Sequence, residues 1–129
     1  MTTWTVDELN RIGTTEELQI ASMRRDDTLR KPVTIWVVRC GDGLYIRSVR
    51  GRTSAWFRGV QVCLAGRIQA GGVTKDVTFI EETGTGINEQ IDAAYRAKYR
   101  RYAANIIDSI VSPEARSATI KLVPGAAVL

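Results

Sequence analysis

Hydrophobic positions in this chain fall into short blocks whose period changes along its length, and the blocks predict a mixed architecture. Thr5-Val6-Asp7-Glu8 matches a capping box, with Trp4 and Leu9 placed to clasp the helix start, which predicts a helix over about residues 6–12. Residues 18–23 alternate as a first strand, and Arg25-Asp26-Asp27-Thr28 turns the chain toward Pro32; the paired Asp residues are turn chemistry rather than an acid/base pair. Residues 33–40 and 44–49 are β-branched and aromatic-rich runs on either side of Gly41-Asp42-Gly43, a hairpin signal. The first run is apolar on both faces, with Val33, Ile35 and Val37 on one and Trp36 and Val38 on the other, and is expected at the centre of a sheet or barrel. Residues 61–69 and 73–80 predict a second hairpin around Gly71-Gly72.

From Ile87 the period lengthens to that of a helix: Ile87, Ile91, Ala94, Tyr95, Tyr102, Ile106 and Ile110 predict one amphipathic helix, or two broken near Ala103. Ser112-Pro113-Glu114 opens a further helical turn. Residues 118–123 alternate as a last strand ended by Pro124, and residues 125–129 are expected to form a frayed tail.

With 129 residues, 44% hydrophobic and 25% charged, the chain is expected to form one domain spanning 1–129. The first residues lack a basic region followed by an apolar stretch, and no apolar run reaches the ~18 residues that span a bilayer; a cytoplasmic protein without a membrane partner is expected. Cys40 and Cys63 each sit in a predicted strand and read as two reduced, buried thiols. The absence of His removes Ser-His, Cys-His and His-based zinc chemistry, and no metal site is expected.

The charge pattern singles out residues 43–75, thirty-three positions with six cations and no Asp or Glu. At its centre a strand, Leu44-Tyr45-Ile46-Arg47-Ser48-Val49, enters Arg50-Gly51-Arg52-Thr53-Ser54 and then a helix start at Ala55-Trp56-Phe57-Arg58. Helix-terminal N–H groups, short hydroxyls and guanidiniums together form a phosphate site. The alternative is a solvated strand edge whose Arg residues discourage pairing. Fourteen of the eighteen cations are Arg, which suits fixed bidentate recognition of phosphate or carboxylate.

The run Pro32-Val33-Thr34-Ile35-Trp36-Val37-Val38, the hairpin into Leu44-Tyr45-Ile46-Arg47-Ser48 and the Trp-led helix together resemble the flavin-binding split-barrel superfamily. This superfamily includes pyridoxamine-phosphate-oxidase-like proteins and deazaflavin-dependent reductases. Ala94-Tyr95-Arg96-Ala97-Lys98-Tyr99 is similar to the Ala-x-Lys-Tyr helix of many of them. Over nearly its whole length the chain looks most like a domain-of-unknown-function family, number 2255, within that superfamily. The resemblance implies an α+β, mainly β fold: a split antiparallel barrel of about six strands with flanking helices, paired as a homodimer. It implies FMN or a deazaflavin coenzyme across the dimer interface. Its phosphate would meet Ser48, Arg50, Gly51, Arg52, Thr53 and Ser54, with Arg58 from the next helical turn, and Thr34 and Trp36 lie on the strand that passes beneath the ring; Trp56 completes the set. One departure is that deazaflavin reductases often carry an Asn after the Trp-aromatic-basic triplet, where this chain has Gly59.

Three charge-assisted hydrogen bonds contribute roughly 5–9 kcal/mol, against ~4–15 kcal/mol for association, so tight binding also requires burial of the ring. Trp36, Tyr45, Trp56 and Phe57 are candidates for that wall, and equally for the core. A bound flavin carries hydride chemistry itself, so an oxidoreductase acting on a small organic substrate needs no His, and no catalytic residue is assigned. Tyr95, Tyr99, Tyr102 and Lys98 would face a substrate or simply pack, and Lys75 would join the anion site or be solvated. Two other classes stand beside this reading. One is a cofactor-free dimeric barrel; the other is a single-stranded nucleic-acid groove built from Arg47, Tyr45, Trp56, Phe57 and Arg67, which the clustering of cations at one turn disfavours.

Overall fold

A computed structural model describes residues 3–125; the expected frayed tail beyond Gly125 lies outside the described residues. Helix α1 (Val6–Thr14) begins with the anticipated capping box, in which the Glu8 N–H donates to Thr5 Oγ1 and the Thr5 N–H donates to Glu8 Oε1. There follow β1 (Glu17–Ser22), β2 (Val33–Trp36), β3 (Val38–Cys40) and β4 (Gly43–Arg47). A 3₁₀ turn (Gly51–Thr53) leads into α2 (Ala55–Cys63), then β5 (Ala65–Ala70) and β6 (Val73–Glu81) form the Gly71-Gly72 hairpin. Helices α3 (Thr85–Lys98), α4 (Ala104–Ile110) and α5 (Pro113–Arg116) precede β7 (Thr119–Pro124).

All seven strands pair antiparallel in the order β2-β1-β5-β6-β7-β4-β3. The two outermost strands, β2 and β3, are one length of chain interrupted only at Val37, so the sheet curls until its edges meet as a split barrel. The expected single central strand is therefore corrected: residues 33–40 form two short strands, and Val33 and Thr34 are exposed. Apolar residues on both faces are compatible with burial by something outside the sheet as well as with a central position.

Val37 is where the chain leaves β1 and joins β4, and α3 supplies the hydrogen bonds the sheet cannot. The Val37 N–H donates to Tyr99 Oη at 3.2 Å, the Tyr99 hydroxyl donates to the Glu16 carbonyl at 2.6 Å, and Lys98 Nζ donates to the Val37 carbonyl at 2.5 Å. The Ala-x-Lys-Tyr residues thus fasten the barrel seam, which answers the accounting demand for buried backbone groups.

A second correction concerns residues 61–63, expected in a strand. Ser54 caps α2, accepting the Phe57 N–H, and the helix runs on until Leu64 closes it in the left-handed region at φ 55°. Cys63 therefore ends a helix, and both cysteines are free and half-buried rather than fully buried.

Two hydrophobic clusters result. One fills the barrel, with Leu18, Ile20, Leu44, Ile46, Ile68, Val77, Phe79, Ile120 and Leu122, and α1 closes one end through Leu9 and Ile12. The other joins Val38 and Tyr45 to Ile91 and Tyr95 of α3, to Tyr99 that caps it, and to Ile107 and Ile110 of α4. Strand β4 is consequently buried on both faces, and no described helix is long and apolar enough to cross a membrane.

Candidate active-site cleft

Between β2, the end of β4, the start of α2 and α4 lies a cleft of about 600 Å³. Its apolar wall consists of Val33, Ile35, Trp36, Val49, Trp56 and Ile106. Trp36 is held flat by Tyr99 behind it, the rings stacked 3.8 Å apart and 3° from parallel, with Tyr102 tilted against it. Where β4 ends and α2 begins, Ser48, Arg50, Ser54 and Ala55 also line it, and the lining contains no Asp or Glu. Ser48 Oγ donates to Ser54 Oγ at 2.7 Å, and the first amides of α2 beyond the cap have no acceptor within the helix. Arg50 is exposed and belongs to no ion pair among the described residues.

Of the sequence-predicted residues, Thr34, Ser48, Arg50, Ser54 and Trp56 line this cleft; Gly51, Arg52, Thr53 and Arg58 do not. Arg52 turns away to Glu81, with Nη1 2.6 Å from Oε1, and donates to the Ser117 carbonyl at 2.9 Å. That hydrogen bond from Arg52 holds the Glu81 carboxyl below its ordinary value. Gly51 adopts φ +70° and packs so close to α5 that a Cβ would lie 2.5 Å from Glu114 Cγ. Thr53 Oγ1 donates to the Arg50 carbonyl, and Arg58 is solvent-exposed on α2. Lys75 lies elsewhere, paired with Glu8 at 2.5 Å.

The cleft floor carries a polar knot the sequence reading missed. Arg47 is 2% exposed and spends every guanidinium proton internally. Nε donates to Thr119 Oγ1 (2.9 Å); Nη1 donates to Asp92 Oδ1 (2.5 Å) and the Ile110 carbonyl (3.2 Å); Nη2 donates to Asn88 Oδ1 (2.8 Å) and the Asn88 carbonyl (3.1 Å). Arg116 grips the other oxygen of Asp92. Burial alone would push the Asp92 carboxyl up; the hydrogen bonds from Arg116 and Arg47 outweigh it and hold the carboxyl below the ordinary range. One signal was present in the sequence: Asn88 and Asp92 lie beside the apolar stripe Ile87, Ile91, Tyr95 on α3. Ile106 and Ser109 reach the cleft only through tertiary packing of α4.

The nucleic-acid groove finds no support, because Arg47, Tyr45 and Phe57 are buried and Arg67 pairs with Asp76 at 2.8 Å. Among the described residues no His/Cys/Asp/Glu group is arranged to hold a metal ion.

A family of bacterial proteins described as "Uncharacterized protein conserved in bacteria (DUF2255)" matches residues 8–122. The chain belongs to the DUF2255 family. No curated protein matches this DUF2255 chain in sequence. Among solved structures, it is similar to a putative pyridoxamine 5'-phosphate oxidase from Listeria innocua (12% identity, TM-score 0.59, covering 93% of this chain and 90% of that one). It is similar also to HutZ, the heme storage protein of Vibrio cholerae (13%, 0.61, 92% and 87%), and to an F420 reductase (12%, 0.53, 92% and 92%). Identities this low establish the fold alone: this DUF2255 member folds as a split barrel.

Proposed function

We propose that the cleft binds the ring of a flavin or deazaflavin, with its phosphate at Ser48, Arg50, Ser54 and the start of α2. The observation that carries this reading is the polarity of one cavity, apolar along Val33, Ile35 and Trp36 and acid-free, cationic and hydroxyl-bearing at the end where α2 begins. Its volume, about 600 Å³, lies within the ordinary range for small-molecule sites. The donor set suits a phosphate: a guanidinium with no ion-pair partner among the described residues, two hydroxyls, and amides with the positive end of a helix dipole. When bound, such a cofactor supplies hydride transfer to or from a small organic substrate. The chain's own residues then bind the phosphate, hold the ring against Trp36 and exclude water through the apolar wall.

A homodimer belongs to the same proposal. Val33, Val49 and Ile106 line the cleft while remaining 37%, 49% and 43% exposed, and a second copy covering them would bury the outer side of the ring. Haem is disfavoured by chemistry, because among the described residues the lining contains no His, Cys, Met or Tyr to serve as an axial ligand.

Titration with riboflavin phosphate and with a deazaflavin coenzyme, followed by ring fluorescence, is the test. Saturable binding of one of them is expected, and sedimentation should report a dimer. Failure of the wild-type chain to bind either ligand refutes the reading.

A further inference from the structure

On the far side of Trp56 from the cleft is a second cavity of about 250 Å³, lined by Ser22, Arg24, Arg30 and Lys31 together with apolar residues that include Val33, Ala55 and Trp56. Those last three also line the main cleft, so the two cavities share a wall. Three cations face this space and no acid does. Asp26 lies in the adjoining surface hollow with Arg25, where its carboxylate is occupied by the Thr28 hydroxyl and amide.

Arg30 is positioned by the fold, and its Nε is left without a partner among the described residues. Its backbone N–H donates to the Ser22 carbonyl at 2.8 Å, which fixes the start of the side chain beside β1. Its buried Nε meets no acceptor among the described residues. Gly59, the departure from the reductase pattern, makes room for it: a Cβ there would sit 3.1 Å from Arg30 Nε and 2.9 Å from Ser22 Oγ. Arg24 is anchored beside it by donating Nη1 to the Leu29 carbonyl at 2.9 Å. An unsatisfied buried guanidinium nitrogen is costly, and an anion in the cavity would remove that cost.

We propose that this cavity is a second anion site, and that it takes a phosphate or carboxylate on an arm extending beyond the first phosphate of the cleft ligand. The preferred ligand then carries two anionic groups, one on each side of the wall formed by Val33, Ala55 and Trp56. The link to the ring rests on the cofactor reading above; the anion site itself does not.

The test compares riboflavin phosphate, FAD and a deazaflavin coenzyme with a carboxylate-bearing tail on the wild-type chain and on R30Q/K31Q, with inorganic pyrophosphate as a ring-free probe. The ligands with a second anionic group should bind at least about tenfold more tightly than riboflavin phosphate, and R30Q/K31Q should remove that advantage while changing riboflavin phosphate affinity by less than about twofold. K31Q alone, at an exposed residue, gives the same direction without risk to the fold. Pyrophosphate that raises the wild-type melting temperature but not that of R30Q/K31Q supports the anion site even where no ring ligand binds, an outcome that sinks the cofactor reading alone. Equal affinities for all ring ligands, together with a pyrophosphate response unchanged in both variants, overturn the proposal.

Discussion

Replacing Asp92 by Ala tests the polar knot beneath the cleft. The Arg47 side chain is 0% exposed and that of Asp92 6%, so the substitution leaves a guanidinium charge inside the protein without its counter-ion. Removing one partner of such a pair costs about 3–5 kcal/mol, a large share of a total stability of about 5–15 kcal/mol. For a chain of this length that corresponds to a melting temperature lowered by roughly 10–20 °C. Removing both charges with R47M/D92A should cost less than the sum of R47M and D92A, because neither charge is left stranded opposite the other; the difference is read from the double-mutant cycle in urea, followed by tryptophan fluorescence. Asp92 has a folded pKa below its unfolded value, so its contribution is full above the ordinary carboxylate value near ~3.9 and is lost as pH falls through the depressed one. The wild-type advantage over D92N should therefore shrink below about pH 4. A D92A cost under about 1 kcal/mol, or a double mutant as costly as the sum of the singles, would refute the reasoning.

Tyr99→Phe deprives the Val37 N–H of its acceptor and the Glu16 carbonyl of its donor, and should cost about 1–3 kcal/mol in urea unfolding. Burial lowers the Lys98 pKa to about 8, so the unfolded chain binds the extra proton between that value and ~10.4, and stability gains from rising pH there; the wild type minus K98M difference should grow over this window, and a flat difference contradicts the burial. Arg50→Gln should weaken riboflavin phosphate or deazaflavin binding about 10–100-fold, whereas Arg52→Gln, which breaks the Glu81 pair, the Ser117 contact and the stacking over Phe57, should leave affinity unchanged; equal losses in the two variants would show that the anion lies elsewhere.

Much of the fold was legible because its signals are local. The capping box at Thr5 and Glu8, the glycine turns at Gly41 and Gly71-Gly72, and the switch to a helical period after Ile87 all depend on residues within a few positions of one another. The interruption at Val37 was not legible, because the groups that satisfy it, Lys98 and Tyr99, lie some sixty residues away in sequence. Nor was the helical state of residues 61–63, where a β-branched block was overridden by a helix already capped at Ser54 and closed by Leu64. At the site, Arg50 and Arg52 look interchangeable in sequence; Glu81 on β6 captures one and leaves the other facing the cleft.

The same division of labour explains why a cleft with two nearby arginines on one strand end has a single exposed cation to offer. Arg47 lines the floor, yet all five of its donors are consumed by Asp92, Asn88, Thr119 and the Ile110 carbonyl. It therefore presents no hydrogen bond to a ligand, and its charge is matched by Asp92, which Arg116 also grips. In the proposed reading the anion is held by Arg50, the paired hydroxyls of Ser48 and Ser54, and the amides of α2. Because the knot ties β4 to α3, α5 and β7, those ligand-facing groups rest on a floor that cannot rotate toward the anion. Phosphate affinity and stability should thus separate cleanly: substitutions at Arg50 act on binding, substitutions at Arg47 or Asp92 act on folding, and a variant at Asp92 that bound the cofactor more weakly without losing stability would break this separation.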